Sequence, residues 1–378
     1  MADSAFSPVP NHDEGARQGF VLGFKTFLAR DLTPGNKRAM EGRVLPNFRR
    51  QAGRDPKDRT ELRHAMEQDP YHQAWSSLMR VAQEQMWDSI EDSIDRQLPG
   101  LMARSVPKKP KGSLRLDPHF VLPRYLEAVD HHGMPGSYHS DTQAGDVRAG
   151  AIFERSVNLY HLGGRGTLAD VMGRTLVAVV HGEYPDLKPK RVLDMGCTAG
   201  QSTVPLAEFF PGARIDAIDA GAPCLRYGHA RAEAMGIAIH FSQQNAEKTD
   251  FPTGSFDLVV SHIMLHETSA KAVPQIFKES ARILRKGGVM VHMDVPVRYR
   301  DLPLYDQVIR GWQTRYNDEP FWDGVCSADL EKAAKAAGFS EVRCGYVPKS
   351  DDPVKSPSRI TQTPNQGPDW RFVVTARK

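Results

Sequence analysis

The chain has 378 residues, with 49 Lys and Arg against 46 Asp and Glu, a net charge of +3 and 40% hydrophobic residues. That is enough to build a real core in two domains or one elaborated domain, and the charge balance argues against a nucleic-acid groove or a membrane surface. Four cysteines (Cys197, Cys224, Cys326 and Cys344), with no C-x-x-C pair, fit a reducing compartment and argue against a structural zinc.

Residues 1–15 are polar, lack the apolar stretch of a secretory signal and read as disordered. No apolar run approaches bilayer length, so the chain reads as cytoplasmic, with no membrane partner. Residues 16–118 read as a helical domain and linker. Trp75, Leu78, Met79, Ala82, Met86, Ile90 and Ile94 recur at helical spacing, with Glu84, Asp88, Glu91, Asp92 and Asp95 largely off that stripe. Such a stripe serves a core, a subunit contact that would make a homodimer, or one wall of a substrate pocket. Residues 105–118 are basic and proline-bearing, a solvated linker in pattern. Residues 119–187 read as a helical cap segment around the turn His131–Asp141, which holds His131, His132, His139 and Asp141. Three histidines and an aspartate invite a metal, but their spacing matches no standard ligand set, and no metal site is expected. The turn reads either as a lid or as a plain shaped loop. Tyr138, His139 and Tyr160 are its substrate-side candidates.

From residue 188 the pattern alternates strand and helix. Strands are expected near 190–195, 213–219, 238–243, 256–262 and 288–294, and then over Glu341–Val347 and Trp370–Thr375. Helices are expected near 201–209, 223–235, 272–285 and 327–337. Pro223 suits a first helical turn, and Gly236 and Gly338 suit helix ends. The decisive stretch is Arg191-Val192-Leu193-Asp194-Met195-Gly196-Cys197-Thr198-Ala199-Gly200: a buried strand, an acid, a glycine turn and a helix. A second acid, Asp219, closes another apolar run. This order suits an adenosine-type cofactor across the carboxyl edge of a parallel sheet. A dinucleotide site wants G-x-G-x-x-G, whose amides approach a pyrophosphate. Asp194 would repel a pyrophosphate, but it suits an ammonium on a cofactor without phosphate. S-adenosylmethionine is such a cofactor. A nucleotide-cofactor oxidoreductase is therefore disfavoured.

The segment resembles motif I of the class I S-adenosylmethionine-dependent methyltransferases, acid-x-Gly-x-Gly-x-Gly, with Thr198 in place of the middle glycine. Threonine takes positive φ poorly and brings a Cβ to the turn, which leaves the loop's conformation open but not the cofactor class. Asp219 stands where the family has its ribose acid. Asn245-Ala246-Glu247 resembles its adenine-contacting loop, Ser255–Val260 its fourth strand, and Leu284-Arg285-Lys286-Gly287-Gly288 its turn before the fifth strand. The resemblance covers roughly residues 150–378. It implies a Rossmann-like α/β sheet of order 3-2-1-4-5-7-6 with the last strand antiparallel, an N-terminal helical extension, and a methyltransferase domain over 188–378. It further implies a cofactor site at Asp194, Gly196, Cys197, Gly200, Asp219, Ala220, Asn245, Ala246 and Ser261. In that site Asp194 would hold the ammonium, Asp219 the ribose hydroxyls and Asn245 the adenine edge.

Methyl transfer from a sulfonium needs mainly alignment and exclusion of water, with a base only for an acceptor protonated at neutral pH. The turn leaving the fourth strand, Ser261-His262-Ile263-Met264-Leu265-His266-Glu267, would face the methyl group. It lacks the Asn-Pro-Pro-aromatic sequence of base-amino methylases. Pro223-Cys224 follows the second strand rather than the fourth, so Cys224 reads as core. His262, His266 and Glu267 are the catalytic candidates, a histidine being able to deprotonate a hydroxyl or thiol; capping the next helix is the alternative for either histidine. Aromatics after the fifth strand, notably Trp312, Tyr316 and Trp322, suit a flat acceptor or pack a lid. The reading is a methyltransferase acting on a small organic molecule, with oxygen first among acceptor atoms and nitrogen, sulfur or carbon behind it. The alternative is a non-catalytic cofactor-binding assembly protein. No nucleic-acid partner is expected.

Overall fold

In the computed structural model, residues 6–163, 170–295, 298–363 and 370–378 are described. The core is an eight-stranded sheet: β1 (Ser113–Arg115), β2 (Arg191–Met195), β3 (Arg214–Asp219), β4 (His240–Gln243), β5 (Phe256–His262), β6 (Leu284–Asp294), β7 (Ser340–Pro348) and β8 (Trp370–Arg377). Its order is β1-β4-β3-β2-β5-β6-β8-β7. The expected seven strands are present in the expected order, with β8 antiparallel to both β6 and β7. One strand was not expected. Part of the supposed linker, Ser113–Arg115, pairs in parallel with His240–Ser242 of β4 and extends the sheet at its edge.

Side chains alternate across the central strands and feed two cores. Val192, Ile215, Ala217, Leu258 and Val260 face Leu176, Val180, Val204 and Leu225 on one side of the sheet. Leu193, Met195, Ile218 and Val259 face Ile276, Phe277 and Ala334 on the other. This period of two is what a sheet covered on both faces requires. The helix Val171–Glu183 belongs to the first of these layers and not to a cap, because Met172, Leu176, Val177 and Val180 are buried against β-strand residues. The loop after β7 also packs down on it, with Ser358 N donating to Ala178 O at 2.9 Å. Residues 364–369 of that loop lie outside the described residues.

The N-terminal part is a set of helices assembled on the long helix Pro70–Arg104, which Asp69 caps through the amides of Tyr71 and His72. Residues 1–15 are not wholly disordered: Phe6 is buried, and a helix starts at His12 under an Asn11 cap with Glu14 reciprocating. The first five residues lie outside the described set. Met86, Ile90 and Ile94 of the expected stripe are buried with Val21, Ile152 and Tyr227. The C-terminal half of the stripe is thus a core within the chain. The helix Arg148–Tyr160 joins the two parts, its Gly150 lying so close to Tyr227 that an added Cβ would fall 2.3 Å from the tyrosine Cβ. Among the described residues, no helix is long and apolar enough to cross a membrane.

Candidate active site

The sheet reverses direction at β2, which has β3 on one side and β5 on the other. At such a switch point the loops beyond the strand ends splay apart and leave a crevice. Here the crevice is roofed by the His131–Asp141 turn and the helix Arg148–Tyr160, making a cavity of about 420 Å³. Gly196, Cys197, Asp219, Ala220, Asn245, Ala246, His262, His266, Glu267, Tyr138, His139, Tyr160 and Trp322 all reach its wall. Sequence positions from seven separate segments therefore meet in one chamber.

The cofactor end is built by backbone. Asp219, ending β3, accepts from Thr198 N at 2.9 Å and Gly221 N at 2.8 Å, which locks the glycine turn to the next strand. Thr198 sits at φ 47°, so the middle position of the motif keeps a left-handed conformation without its glycine. The bonded amide of Thr198 is one compensation for that strain. Gly196, at φ 70°, has the Met264 side chain where its Cβ would be, at 2.7 Å. Asp194 lies beneath this turn, 1% exposed and off the cavity wall. One of its oxygens accepts from Thr203 Oγ1 at 2.6 Å, and the other is buried with no partner. Burial pushes its carboxyl up to about 7, with Asp219 adding to the rise and the Thr203 bond opposing it. A cradle that only glycine allows and an unpaired buried carboxylate oxygen beneath it fit a cationic cofactor.

Besides Asp194, four expected residues stand off the wall. Gly200 is buried against Phe241, so it serves helix packing. Ser261 is fully buried in β5 with its hydroxyl 2.6 Å from His292 Nδ1, away from the wall. Trp312 packs edge-on to Trp75 and donates to Ser76 Oγ at 2.8 Å, and the adjacent Tyr316 is 39% exposed; neither lines the cavity. Trp312 thereby holds the segment after β6 onto the helical part. Cys224 is buried, with Sγ 3.2 Å from Tyr138 O, a core position as read.

The His131–Asp141 turn is a fixed roof. Arg226 clamps Asp141 through two bonds of 2.9 and 2.8 Å, and the Tyr138 carbonyl occupies the space a Cβ on Gly221 would need. His139 Nε2 is tied to Leu126 O at 3.0 Å. His132 is held at φ 61°, and Ile263, leaving β5, at φ 54°. Positive φ at bulky residues persists only where surroundings over-determine it, and both positions flank the same chamber.

Their side chains explain the constraint. His132 Nε2 is 2.9 Å from Glu267 Oε1 and its Nδ1 is 2.6 Å from Glu319 Oε1. Tyr138 OH donates to Glu267 Oε1 at 3.2 Å. His266 Nδ1 is bonded to Asp294 Oδ1 at 2.5 Å. Burial alone would neutralise these groups. Against it, the Asp294, Glu319 and Glu267 carboxylates hold His266 up at about 9, and Glu319 and Glu267 hold His132 well above its usual range. Burial likewise opposes charge on Glu267, but His132 and its neighbours hold it well below the usual carboxylate range. His262 takes a different position, with Nδ1 2.9 Å from Ser202 Oγ. Sequence reading missed Asp294 and Glu319 altogether. Their partners are distant in the chain, and a lone buried acid carries no local signal.

Residues 192–288 match a family model described as a methyltransferase domain. An uncharacterized methyltransferase of Synechocystis is 30% identical over 156 residues, 41% of this chain and 68% of that protein. The chain belongs to the class I S-adenosylmethionine-dependent methyltransferases. Its cofactor is S-adenosylmethionine. A fatty-acid O-methyltransferase of Mycolicibacterium smegmatis is 28% identical over 37% of this chain and 50% of its own length. A solved phosphoethanolamine N-methyltransferase of Haemonchus contortus, 16% identical, is similar over 60% of this chain and 57% of its own, with a TM-score of 0.41. The chain spans about half the length of most of the curated relatives it matches first.

Proposed function

We propose that this chain methylates a small organic molecule, and that the acceptor atom is oxygen. S-adenosylmethionine supplies a methyl group already activated on a sulfonium. The residues therefore have to bind, align and dry the site. Asp219 and Asn245 would take the ribose and adenine, and the Gly196 cradle would admit the methionine portion over the turn that covers Asp194. His262, Tyr138, Tyr160 and Trp322 wall the remaining space, which suits an acceptor of modest size under a fixed roof.

The observation that carries the oxygen reading is the imidazole–carboxylate cluster of His132, His266 and Glu267 on the wall of the same chamber as Asp219 and Asn245. Glu267 is ionised there and accepts a hydrogen bond from a hydroxyl, orienting the oxygen's lone pair for in-line attack. The named activity of the Mycolicibacterium relative, O-methylation, supports the same choice.

The test is a panel of small hydroxylated, carboxylated, amino and thiol compounds incubated with the full chain and methyl-labelled cofactor. Label in an ether or ester product is the expected result. Label only in amine, thioether or carbon products would overturn the oxygen assignment. Tight cofactor binding with no transfer to any class of compound would favour the assembly-protein alternative.

A further inference from the structure

We propose that His132, His266, Glu267 and Glu319 form a binding site for one divalent first-row transition-metal ion on the cavity wall. One ligand atom from each lies within 4.8 Å of all the others. His266 Nε2 is 3.7 Å from Glu267 Oε1 and 3.8 Å from Glu319 Oε2. His132 meets Glu267 through Nε2 at 2.9 Å and Glu319 through Nδ1 at 2.6 Å, and only one of these nitrogens would be its ligand atom. Metal–ligand bonds of about 2.1 Å put neighbouring tetrahedral ligands about 3.4 Å apart, inside the 4.8 Å that the four ligand atoms span.

The lone pairs point to a missing partner. Glu319 is fully buried, and neither of its oxygens accepts an aligned hydrogen bond; His266 Nε2 and Glu267 Oε2 are likewise buried without one. Burying that many polar atoms without an aligned hydrogen bond is costly, even beside opposite charges. His266 also has the arrangement of a metal-bound imidazole: its Nδ1 proton is committed to Asp294, which leaves Nε2 as the ligand atom. Asp294 is itself fixed by the amides of Leu265 and Val295.

The donor set selects the ion. Two imidazoles and two carboxylates suit Zn²⁺, Mn²⁺, Fe²⁺ or Co²⁺; magnesium and calcium prefer all-oxygen shells, and the thiolates that favour copper(I) are absent from the four. His132, His266 and Glu267 line the cavity and Glu319 stands behind them, so an open coordination position would face the acceptor. There the ion would lower the pKa of a bound hydroxyl, a role that rests on the oxygen-acceptor reading; the ion's binding does not.

Full-length protein stripped with chelator should take up one equivalent of Co²⁺, giving visible d–d absorption that Zn²⁺ abolishes by displacement. Glu319→Gln and His266→Ala should each weaken Co²⁺ binding at least tenfold, and Asp294→Asn by about 10- to 100-fold. S-adenosylhomocysteine binding, measured on every variant, reports whether the fold survives. Wild-type protein that binds S-adenosylhomocysteine but shows no saturable Co²⁺ spectrum would overturn the site. So would Co²⁺ affinity unchanged in both Glu319→Gln and His266→Ala. Neither result depends on the identity of the methyl acceptor, so the metal site and the oxygen reading fail separately.

Discussion

His266 and Asp294 are joined by a 2.5 Å hydrogen bond that ties the turn after β5 to the last residue of β6. Asp294 also accepts from Leu265 N at 2.8 Å, so one carboxylate sets both the path of the turn and the orientation of the imidazole. Held at about 9, His266 is charged at neutral pH and is not the base expected from the sequence; His266→Ala is expected to lower kcat on the acceptor by up to about 10²-fold, through misplacement of the turn, while leaving cofactor affinity within a few-fold. His262→Ala, which removes a ring bonded to Ser202 instead, is expected to cost less. Steady-state kinetics beside calorimetry with S-adenosylhomocysteine separates the two, and equal small losses would rule out a chemical role for the turn.

Asp219→Ala should weaken S-adenosylhomocysteine binding by roughly 10- to 100-fold, since hydrogen bonds to a charged acceptor contribute about 1.5–3 kcal/mol. It also strands the amides of Thr198 and Gly221, so the turn loosens as well. Calorimetry on folded mutant protein is the check. An unchanged dissociation constant would mean that the ribose lies elsewhere.

Gly196→Ala meets two obstacles at once: a φ of 70° and the Met264 side chain at 2.7 Å. Cofactor binding should be lost before the fold is. Pairing it with Met264→Ala should restore part of the affinity by making room, although the backbone strain remains. A single mutant with normal affinity would show that the turn is not pressed against Met264.

Cofactor affinity should depend on pH through Asp194. Its carboxyl is raised to about 7 in the free protein by burial, above an unfolded value near 3.8. Between these values the folded state binds the extra proton, so this group's contribution to stability falls as pH rises from about 4 to 7. An ammonium bound over the turn that covers Asp194 favours its ionised form. Binding of S-adenosylhomocysteine should therefore weaken as pH drops below 7, approaching tenfold per unit, and level off above it. Asp194→Asn should flatten the profile; a slope that survives this change would have another source.

The start of the chain should be released by acid. Glu14 is held down at about 2 chiefly by its bonds to Arg96, against burial. A carboxyl depressed from 4.5 to about 2 contributes stability that is complete above pH 4.5 and lost as pH falls toward 2. Arg96→Ala should lower the amide protection factors of the helix His12–Phe27 at neutral pH, as acid lowers them in the wild type. Exchange that is identical in the two proteins at pH 7 would mean that the packing of Val21 suffices.

The amino-acid sequence by itself determined the sheet and the cofactor class. Alternating apolar residues, the glycine after Asp194 and the acid ending β3 are local signals, because a strand, a tight turn and a switch-point acid each need particular residues within a few positions of one another. Where the signal was local but ambiguous, reading ran short. Ser113–Arg115 is three residues long and becomes a strand only because β4 offers a free edge, and the Val171–Glu183 pattern suits a cap as well as the layer it joins. The chemistry at the acceptor end was decided by tertiary structure alone. His132 and Glu267 are 135 positions apart, and Glu319 lies beyond another strand and helix. No spacing rule connects them, because the fold and not the chain brings them within hydrogen-bond reach, and burial then gives their charges the strength that isolated residues lack.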